Sequence, residues 1–173
     1  MINEKGFTLV DSLVAVAVAA FVGLGAVALT FQTLKVTAQD NAWATVVRQA
    51  QDVGYWTSQD AQSATAVQAV TGAPGDGVAF MTFFWDDWET GDLYQVSYVW
   101  RSAGGLYKIE RVYLKNGVAQ TAMIADHVVG GGTALEQQGT AWKLTVVVQA
   151  GLSDAPKTAT TSYLIEPRPT VQP

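Results

Sequence analysis

The chain has 173 residues and a formal net charge of −5, which is enough length for one compact domain and an appended segment. It contains no cysteine, so disulfides and thiolate chemistry are excluded. Six Trp, six Tyr and six Phe supply ample apolar surface for a hydrophobic core. The acidic balance and the lack of a basic cluster argue against a nucleic-acid groove, so no direct nucleic-acid partner is expected.

The first predicted element is a long apolar helix near the N-terminus. From Leu13 to Phe31 the only polar side chain is Thr30. At ~1.5 Å per residue, such a run approaches the ~30 Å of a bilayer core. Three interpretations are open: a cleaved secretory signal, a plain membrane anchor, or the stem of a pilin-like subunit. The run is longer than the ~7–15 apolar residues typical of a secretory signal.

A single carboxylate, Asp11, lies at the start of this apolar run. A charged side chain at the depth of a bilayer core costs free energy, and that cost falls towards the membrane edge. A plain anchor with Asp11 at the membrane interface is therefore one interpretation. It gives the charge no special role.

The stretch GFTLVDSLVAVAVAAF, residues 6–21, resembles the prepilin-type N-terminal signal of type IV pilins and type II secretion pseudopilins. That signal has a short polar leader ending in Gly, then Phe, Thr-Leu, an aliphatic residue, an acidic residue and an apolar helix. The resemblance implies that a membrane prepilin peptidase cuts between Gly6 and Phe7. It also implies that the new amine of Phe7 is methylated.

The same resemblance implies a role in subunit assembly for Asp11, which takes the acidic position although Glu is usual there. In a bundle of apolar helices, its carboxylate would pair with the Phe7 ammonium of a neighbouring subunit and neutralise two costly charges. The implied partners are the prepilin peptidase, other pilin or pseudopilin subunits, an inner-membrane assembly platform and membrane lipid. The implied location is the cytoplasmic membrane, crossed once with an extracytoplasmic head, and later a cell-surface or periplasm-spanning filament.

The apolar helix is predicted to continue into an amphipathic half without a break. Apolar residues recur at spacings of three and four, so we predict one helix from about Thr8 to about Ala64. Trp43 and Trp56 are expected to anchor the core. Together with them, the apolar stripe of this half comprises Leu34, Val36, Val46, Val47, Ala50 and Val53.

Gly23 and Gly25 lie in the middle of the apolar half. Each weakens a helix interior by ~1 kcal/mol relative to Ala. They therefore mark either a bend of the stem or a close contact with another helix, and both interpretations are open.

Beyond residue 77 the hydrophobic period becomes two, which predicts β-strands. Asn116-Gly117 is a favoured hairpin turn between two of them. The strands are expected to form an antiparallel meander with one face packed on the helix, and residues 130–139 are expected to form a flexible connection. The predicted strands are 78–85, 93–101, 106–114, 117–124, 141–149 and 157–165.

The predicted fold class is α+β, with a long N-terminal helix packed on a C-terminal antiparallel sheet, and the resemblance implies the pilin fold. The strand rhythm of the head also resembles that of minor pilins and pseudopilins of the PilW or GspJ kind. The predicted divisions are a prepilin leader 1–6, a hydrophobic transmembrane and assembly helix 7–31, a globular head 32–166 and an extended tail 167–173.

Few residues carry catalytic or metal-binding chemistry. His127 is the single histidine and no G-x-S-x-G nucleophile turn is present, so we expect His127 to end a strand and the chain not to be an enzyme. Asp86, Asp87, Glu89 and Asp92 supply hard oxygen ligands and form a calcium candidate, although their spacing does not fit the EF-hand. The preferred interpretation of this turn is a solvated hairpin tip, and no cofactor is expected.

Two classes of function follow. The first is a structural subunit, a minor pilin or pseudopilin, of a type IV pilus or a type II secretion-like filament. The alternative is a single-pass membrane-anchored extracytoplasmic binding domain that does not polymerise. The mature N-terminus distinguishes them, because a chain starting at a methylated Phe7 indicates the first. An intact Met1, or a cut after the apolar run, indicates the second.

Overall fold

The computed structural model describes residues 8–151 and 155–168 of the chain. Within them, one long helix precedes eight strands that form a single antiparallel sheet, which confirms the predicted α+β class. The elements are α1 (Leu9–Ser63), β1 (Ala66–Ala69), β2 (Ala79–Asp86), β3 (Leu93–Ala103), β4 (Leu106–Lys115), β5 (Val118–Val128), β6 (Ala134–Gln138), β7 (Ala141–Ala150) and β8 (Lys157–Ile165).

The chain divides into two compact units, Met1–Asp40 and Asn41–Pro173, and the division falls within α1. In the first unit, every described residue from 8 to 38 is exposed. From residue 13 to residue 31 the helix has no one-sided apolar stripe, because Thr30 is the only polar side chain there. We call residues 9–40 of α1 the stem.

In the second unit, residues 41–63 of α1 bury one face against the sheet. Ala42, Val46, Ala50 and Val53 are buried at spacings of three and four, as the period of a helix requires. The line continues along the helix with Gly54, Thr57, Asp60 and Ala61. We call residues 41–168 the head.

The predicted apolar stripe is correct in its second half and wrong at its start. Trp56 is partly buried against the core, as expected, but Trp43 keeps 50% of its surface exposed and is not a core anchor. Trp43 follows Ala42 and is therefore rotated about 100° from the buried line. Leu34 and Val36 are also exposed, and both belong to the stem.

Gly54 permits a close contact between the helix and the last strand. An added Cβ at Gly54 would lie 2.1 Å from Cε1 of Tyr163. The Tyr163 hydroxyl donates a hydrogen bond to the Ala50 carbonyl at 2.8 Å, which holds the ring across the helix. A residue without a side chain is therefore required at this point of α1.

The sheet is a meander for its first five strands and then changes order. Strands β1 to β5 pair consecutively, whereas β5 pairs with β7, and β7 also pairs with β6 and β8. The six predicted strands do pair in chain order, β2 to β5 and then β7 and β8, and the meander prediction is wrong only in lacking β1 and β6. The predicted flexible connection is wrong in part as well, because β6 lies within it and buries Leu135 opposite Leu144 of β7.

Large aromatic side chains fill the core between helix and sheet. Val96, Tyr98 and Trp100 of β3 are buried on one face, as the alternation predicts. The ring of Phe80 stacks on Trp100 with a centroid distance of 4.2 Å. A register shift in β2 allows two successive side chains, Phe80 and Met81, to be buried together.

Candidate functional site

The first turn of the stem carries a reciprocal capping box. The backbone N–H of Thr8 and its hydroxyl both donate to Oδ2 of Asp11, at 3.0 and 2.6 Å. The backbone N–H of Asp11 donates in return to the Thr8 hydroxyl oxygen at 3.3 Å. Asp11 therefore satisfies an N–H group at the start of its own helix, where the helix dipole also favours a negative charge.

The stem presents apolar side chains on all sides. Its length and composition are sufficient to cross a membrane, and none of its most apolar stretch is buried within the chain. The large exposed apolar residues are Leu9, Val10, Leu13, Val14, Val16, Val18, Phe21, Val22, Leu24, Val27, Leu29, Phe31, Leu34 and Val36. Such a surface, exposed within the described residues, is typical of a helix that could cross a membrane.

Two stem threonines satisfy their own hydroxyl groups. Thr30 donates to the Ala26 carbonyl and Thr33 donates to the Leu29 carbonyl, both at 2.9 Å. These contacts within one helix let a hydroxyl enter apolar surroundings without an unpaired donor. The polar side chains of the apolar stretch are therefore compatible with burial in lipid or in a helix bundle.

The stem glycines have no packing role within the chain. A Cβ added at Gly23 or Gly25 would meet no atom within 4 Å. This contrasts with Gly54, where the added atom overlaps an aromatic ring. Among the described residues, nothing in the structure therefore gives Gly23 or Gly25 a packing reason. Bending and close helix contact remain the two predictions.

The predicted cleavage and methylation residues, Gly6 and Phe7, lie outside the described residues. Of the predicted processing and assembly residues, Asp11 is the one that the structure describes. Its predicted role in assembly stays a prediction, since the structure contains a single chain. What is seen is its bond to Thr8.

The head holds a buried charge cluster that the sequence analysis missed. Asp60, near the end of α1, is 5% exposed and accepts two hydrogen bonds from Arg111 of β4, from Nε at 2.8 Å and from Nη2 at 2.7 Å. The Tyr98 hydroxyl of β3 donates to the same carboxylate. The Arg111 guanidinium also lies over the rings of Trp56 and Tyr113, at 4.9 and 5.5 Å from their centroids. This cluster joins the helix to two strands.

Burial of this cluster shifts its protonation equilibria. Burial, together with the nearby Asp60 charge, raises the pKa of Tyr98 far above its ordinary value, so the hydroxyl stays a donor. The bidentate bond to Asp60 raises the pKa of Arg111 further. The sequence does contain a signal for this cluster. Alternate residues of a strand share one face, so Arg111 lies on the same face of β4 as Ile109 and Tyr113. A charge at an inward-facing position indicates a buried partner.

The carboxylates of the acidic turn between β2 and β3 do not lie together as a cluster. Among the described residues, no three His, Cys, Asp or Glu side chains lie close enough together to hold a metal ion. Asp87 Oδ1 instead accepts the backbone N–H groups of Glu89 and Thr90, at 2.9 and 3.4 Å. The calcium candidate at Asp86, Asp87, Glu89 and Asp92 is thus not assembled, and the turn is a hairpin tip.

The last acidic residue of this turn is fixed to the neighbouring hairpin. Asp92 forms an ion pair with Lys115 at 2.7 Å and accepts a 2.6 Å hydrogen bond from the Asn116 amide. The Lys115 bond, reinforced by Asn116, lowers the pKa of Asp92 to about 2. Asn116 and Gly117 have φ values of 50° and 81°, as a type I′ hairpin turn requires. The two hairpin tips are therefore held together.

His127 lies near the end of β5, as predicted, and contacts the neighbouring Asp126. Asp126 also accepts a hydrogen bond from the Gln49 amide of α1, and its backbone N–H donates to Gln49 at 3.3 Å. Burial alone would raise the pKa of Asp126, but the bonds from His127 and Gln49 lower it. The Gln49 contacts attach β5 to the helix, whereas the His127 side chain contacts only the adjacent Asp126 among the described residues and is 41% exposed.

The comparisons with known proteins add no relative to this description. No protein-family model, no curated protein and no solved structure matched the chain. The apolar stem with its Thr8–Asp11 capping box is therefore identified as the candidate functional site from its geometry alone.

Proposed function

We propose that this chain is a structural subunit, a minor pilin or pseudopilin, of a type IV pilus or type II secretion-like filament. Prepilin peptidase cuts it between Gly6 and Phe7, and its stem then packs among the stems of other subunits. The head stays outside the cytoplasmic membrane. The observation that carries the proposal is a stem exposed on all sides whose one charge before Lys35 is Asp11, in its first turn.

The physical support comes from the surroundings that this stem requires. A helix that is apolar all round is stable in lipid or among similar helices. The membrane supplies the lipid before assembly, and the filament supplies the neighbouring helices after it. The stem threonines bond within the helix and tolerate either environment. One helix therefore serves as a membrane anchor before assembly and as a packing element after it.

In this proposal, Asp11 sets the axial register between neighbouring subunits of the filament. Cleavage at Gly6–Phe7 creates an ammonium close to the start of the helix. In an apolar bundle, this ammonium of one subunit pairs with the Asp11 carboxylate of the next, because either charge alone is costly there. Asp11 then changes from a bond with its own Thr8 to a contact that is shared between subunits.

A second candidate function is favoured by the capping box itself. Asp11 already accepts two hydrogen bonds from Thr8, which is sufficient to explain a carboxylate at the membrane edge. In this alternative the stem anchors an extracytoplasmic binding domain that does not polymerise. Asp11 then acts on its own helix only.

The experiment compares wild type with Asp11→Ala and Asp11→Glu in cells, by the ratio of sheared-filament to membrane-bound protein. The filament proposal expects a large fall for Asp11→Ala and retention for Asp11→Glu, which keeps the charge. Ser12→Ala, next to Asp11 in the same turn, is the matched control. Equal ratios for all four proteins would contradict the filament proposal and support the membrane-anchor alternative.

Mass spectrometry of the mature chain tests the processing step separately. Wild type and Asp11→Ala are both expected to start at a methylated Phe7, because the scissile bond is unchanged in both. Gly6→Val is expected to remain uncut, since a β-branched side chain hinders the approach of a protease to the backbone. An intact Met1 in the wild-type protein would contradict the proposal.

A further inference from the structure

A cleft of ≈ 420 Å³ lies at one end of the head, between the last turn of α1, the acidic turn and the segment after β8. This volume is within the ~300–1,000 Å³ range of small-molecule sites in proteins. Its lining residues are Gln62, Ser63, Trp85, Asp86, Asp87, Trp88, Tyr94 and Arg168. Neither filament assembly nor membrane insertion accounts for this cleft.

Three of the lining residues are aromatic. Trp85 and Tyr94 are directly paired across β2 and β3, and their rings are stacked at 5.4 Å with an angle of 11°. Trp88 projects from the turn with 87% of its surface exposed. An indole this exposed adds almost nothing to the core, and together with Trp85 and Tyr94 it offers aromatic surface to a ligand in the cleft.

The turn that carries Trp88 is held rigidly. The Asp87 backbone N–H donates to the Asp92 carbonyl at 2.9 Å, and the Gly91 N–H donates to the Asp87 carbonyl at 2.7 Å. The ion pair of Asp92 with Lys115 then fixes the turn to the next hairpin. Trp88 is thus presented on an ordered turn, which reduces the entropy lost when a ligand binds.

The polar lining contains both donors and acceptors. Asp86 supplies carboxylate acceptors, Arg168 supplies guanidinium donors, and Gln62 and Ser63 supply both kinds of group. The Arg168 backbone N–H donates to the Ala61 carbonyl at 3.4 Å, which attaches this segment to the end of α1. A ligand with hydroxyl groups, which both donate and accept, and with an apolar face for the rings matches this lining.

We propose that this cleft binds a neutral carbohydrate. A sugar ring presents a face of C–H groups that packs on an indole, while its equatorial hydroxyls reach side chains such as Asp86, Gln62 and Arg168. A cationic ligand would also be drawn to Trp85, Trp88 and the carboxylates. Arg168 opposes a cation only in part, because the lining has two carboxylates and one guanidinium, so the test must exclude a cationic ligand. This site does not depend on the proposed filament function.

The experiment uses the full chain in lipid nanodiscs free of glycoside detergent. Cellotetraose, maltotetraose and tetra-N-acetylchitotetraose, which are all neutral, are titrated separately, and binding is followed by tryptophan fluorescence and by the NMR signals of the indole N–H groups. At least one saccharide is expected to bind and to shift the Trp88 signal, which Trp88→Phe identifies. In Trp88→Ala that binding is expected to be at least about tenfold weaker, because a central Trp commonly dominates a binding site.

Trp43→Ala is the matched control, because Trp43 is exposed on α1 and does not line the cleft. Both alanine variants are expected to fold, since neither indole is part of the buried core. Saccharide binding that Trp43→Ala retains and Trp88→Ala loses supports the proposal. Binding of none of the three saccharides, or equal binding by both variants, would overturn it. Binding of choline in place of any saccharide would overturn it too and would assign the cleft to a cation.

Discussion

The two parts of α1 differ in what surrounds their apolar side chains. Residues 9–40 expose their apolar side chains on every side, whereas residues 41–63 bury one line of them beneath the sheet. The stem therefore depends on surroundings outside the chain, and the head depends on its own strands. One continuous helix combines both, since the backbone hydrogen bonds of a helix are the same in lipid and in a protein core.

The two parts also hold their carboxylates differently. Asp11 in the stem bonds to Thr8 in its own first turn, so its partner is local in sequence. Asp60 in the head bonds to Tyr98 and Arg111, which are 38 and 51 residues away. A local partner forms whenever the helix forms, whereas a distant one requires the complete sheet. The bonds of the stem carboxylate therefore do not depend on the sheet, whereas those of the head carboxylate do.

The largest expected effect comes from breaking the cluster in the head. Asp60→Ala leaves the Arg111 guanidinium, whose side chain is 17% exposed, without its counter-ion. Removing one partner of a buried pair costs about 3–5 kcal/mol of unfolding free energy. Chemical denaturation of the full chain in nanodiscs measures this loss. Asp40→Ala, an exposed site on the same helix, is the control and is expected to change stability by less than ~0.5 kcal/mol.

Substituting one glycine in each part of the helix compares the two parts directly. Gly54→Ala forces a methyl group into the Tyr163 ring and is expected to lower the unfolding free energy of the head by about 1–3 kcal/mol. Gly23→Ala meets open space and is expected to leave that free energy unchanged within ~0.5 kcal/mol. The same denaturation measurement applies to both variants. An equal effect of the two would contradict the close contact between α1 and β8.

A smaller effect is expected at the start of the stem. Thr8→Ala removes the hydroxyl that bonds to Asp11 in both directions, and loss of such a cap costs about 0.5–2 kcal/mol of local helix stability. Faster amide hydrogen exchange over the first turn measures this change, while the unfolding of the head stays the same. Thr8→Ser keeps the hydroxyl and should retain wild-type exchange. Unchanged exchange in Thr8→Ala would show that the capping box contributes nothing.

The smallest effect is expected at the exposed ion pair between the hairpin tips. The folded pKa of Asp92 is lowered to about 2, so the stabilisation by Lys115 is present above the ordinary carboxyl pKa of about 4 and is lost as the pH falls through about 2. Lys115→Gln should raise the pKa of Asp92 towards its ordinary value. An NMR titration of the Asp92 carboxyl carbon measures this, with Lys35→Gln in the stem as the control. An unchanged Asp92 pKa in Lys115→Gln would remove the ion pair as the cause.

The order of the strands shows where sequence reasoning stops. The period-two pattern identified the six longer strands, because alternation along a strand is a local property. It did not identify β1 or β6, which have four and five residues and are held by pairing with β2 and β7. The pairing of β7 with β6, in addition to β5 and β8, was therefore not predicted either. Pairing between distant strands depends on how the whole sheet folds.

The sequence by itself determined the local features of this protein. It predicted the single long helix, its apolar first part, the hairpin turn at Asn116-Gly117 and the α+β class, because each follows from composition or from short-range periodicity. Only the tertiary structure decided that Asp60 meets Arg111, that Gly54 lies against Tyr163 and that the aromatic cleft forms beside Trp88. The reason is that these contacts join residues that are distant in the sequence, and no local pattern specifies the partner of a buried charge or the neighbour of a glycine.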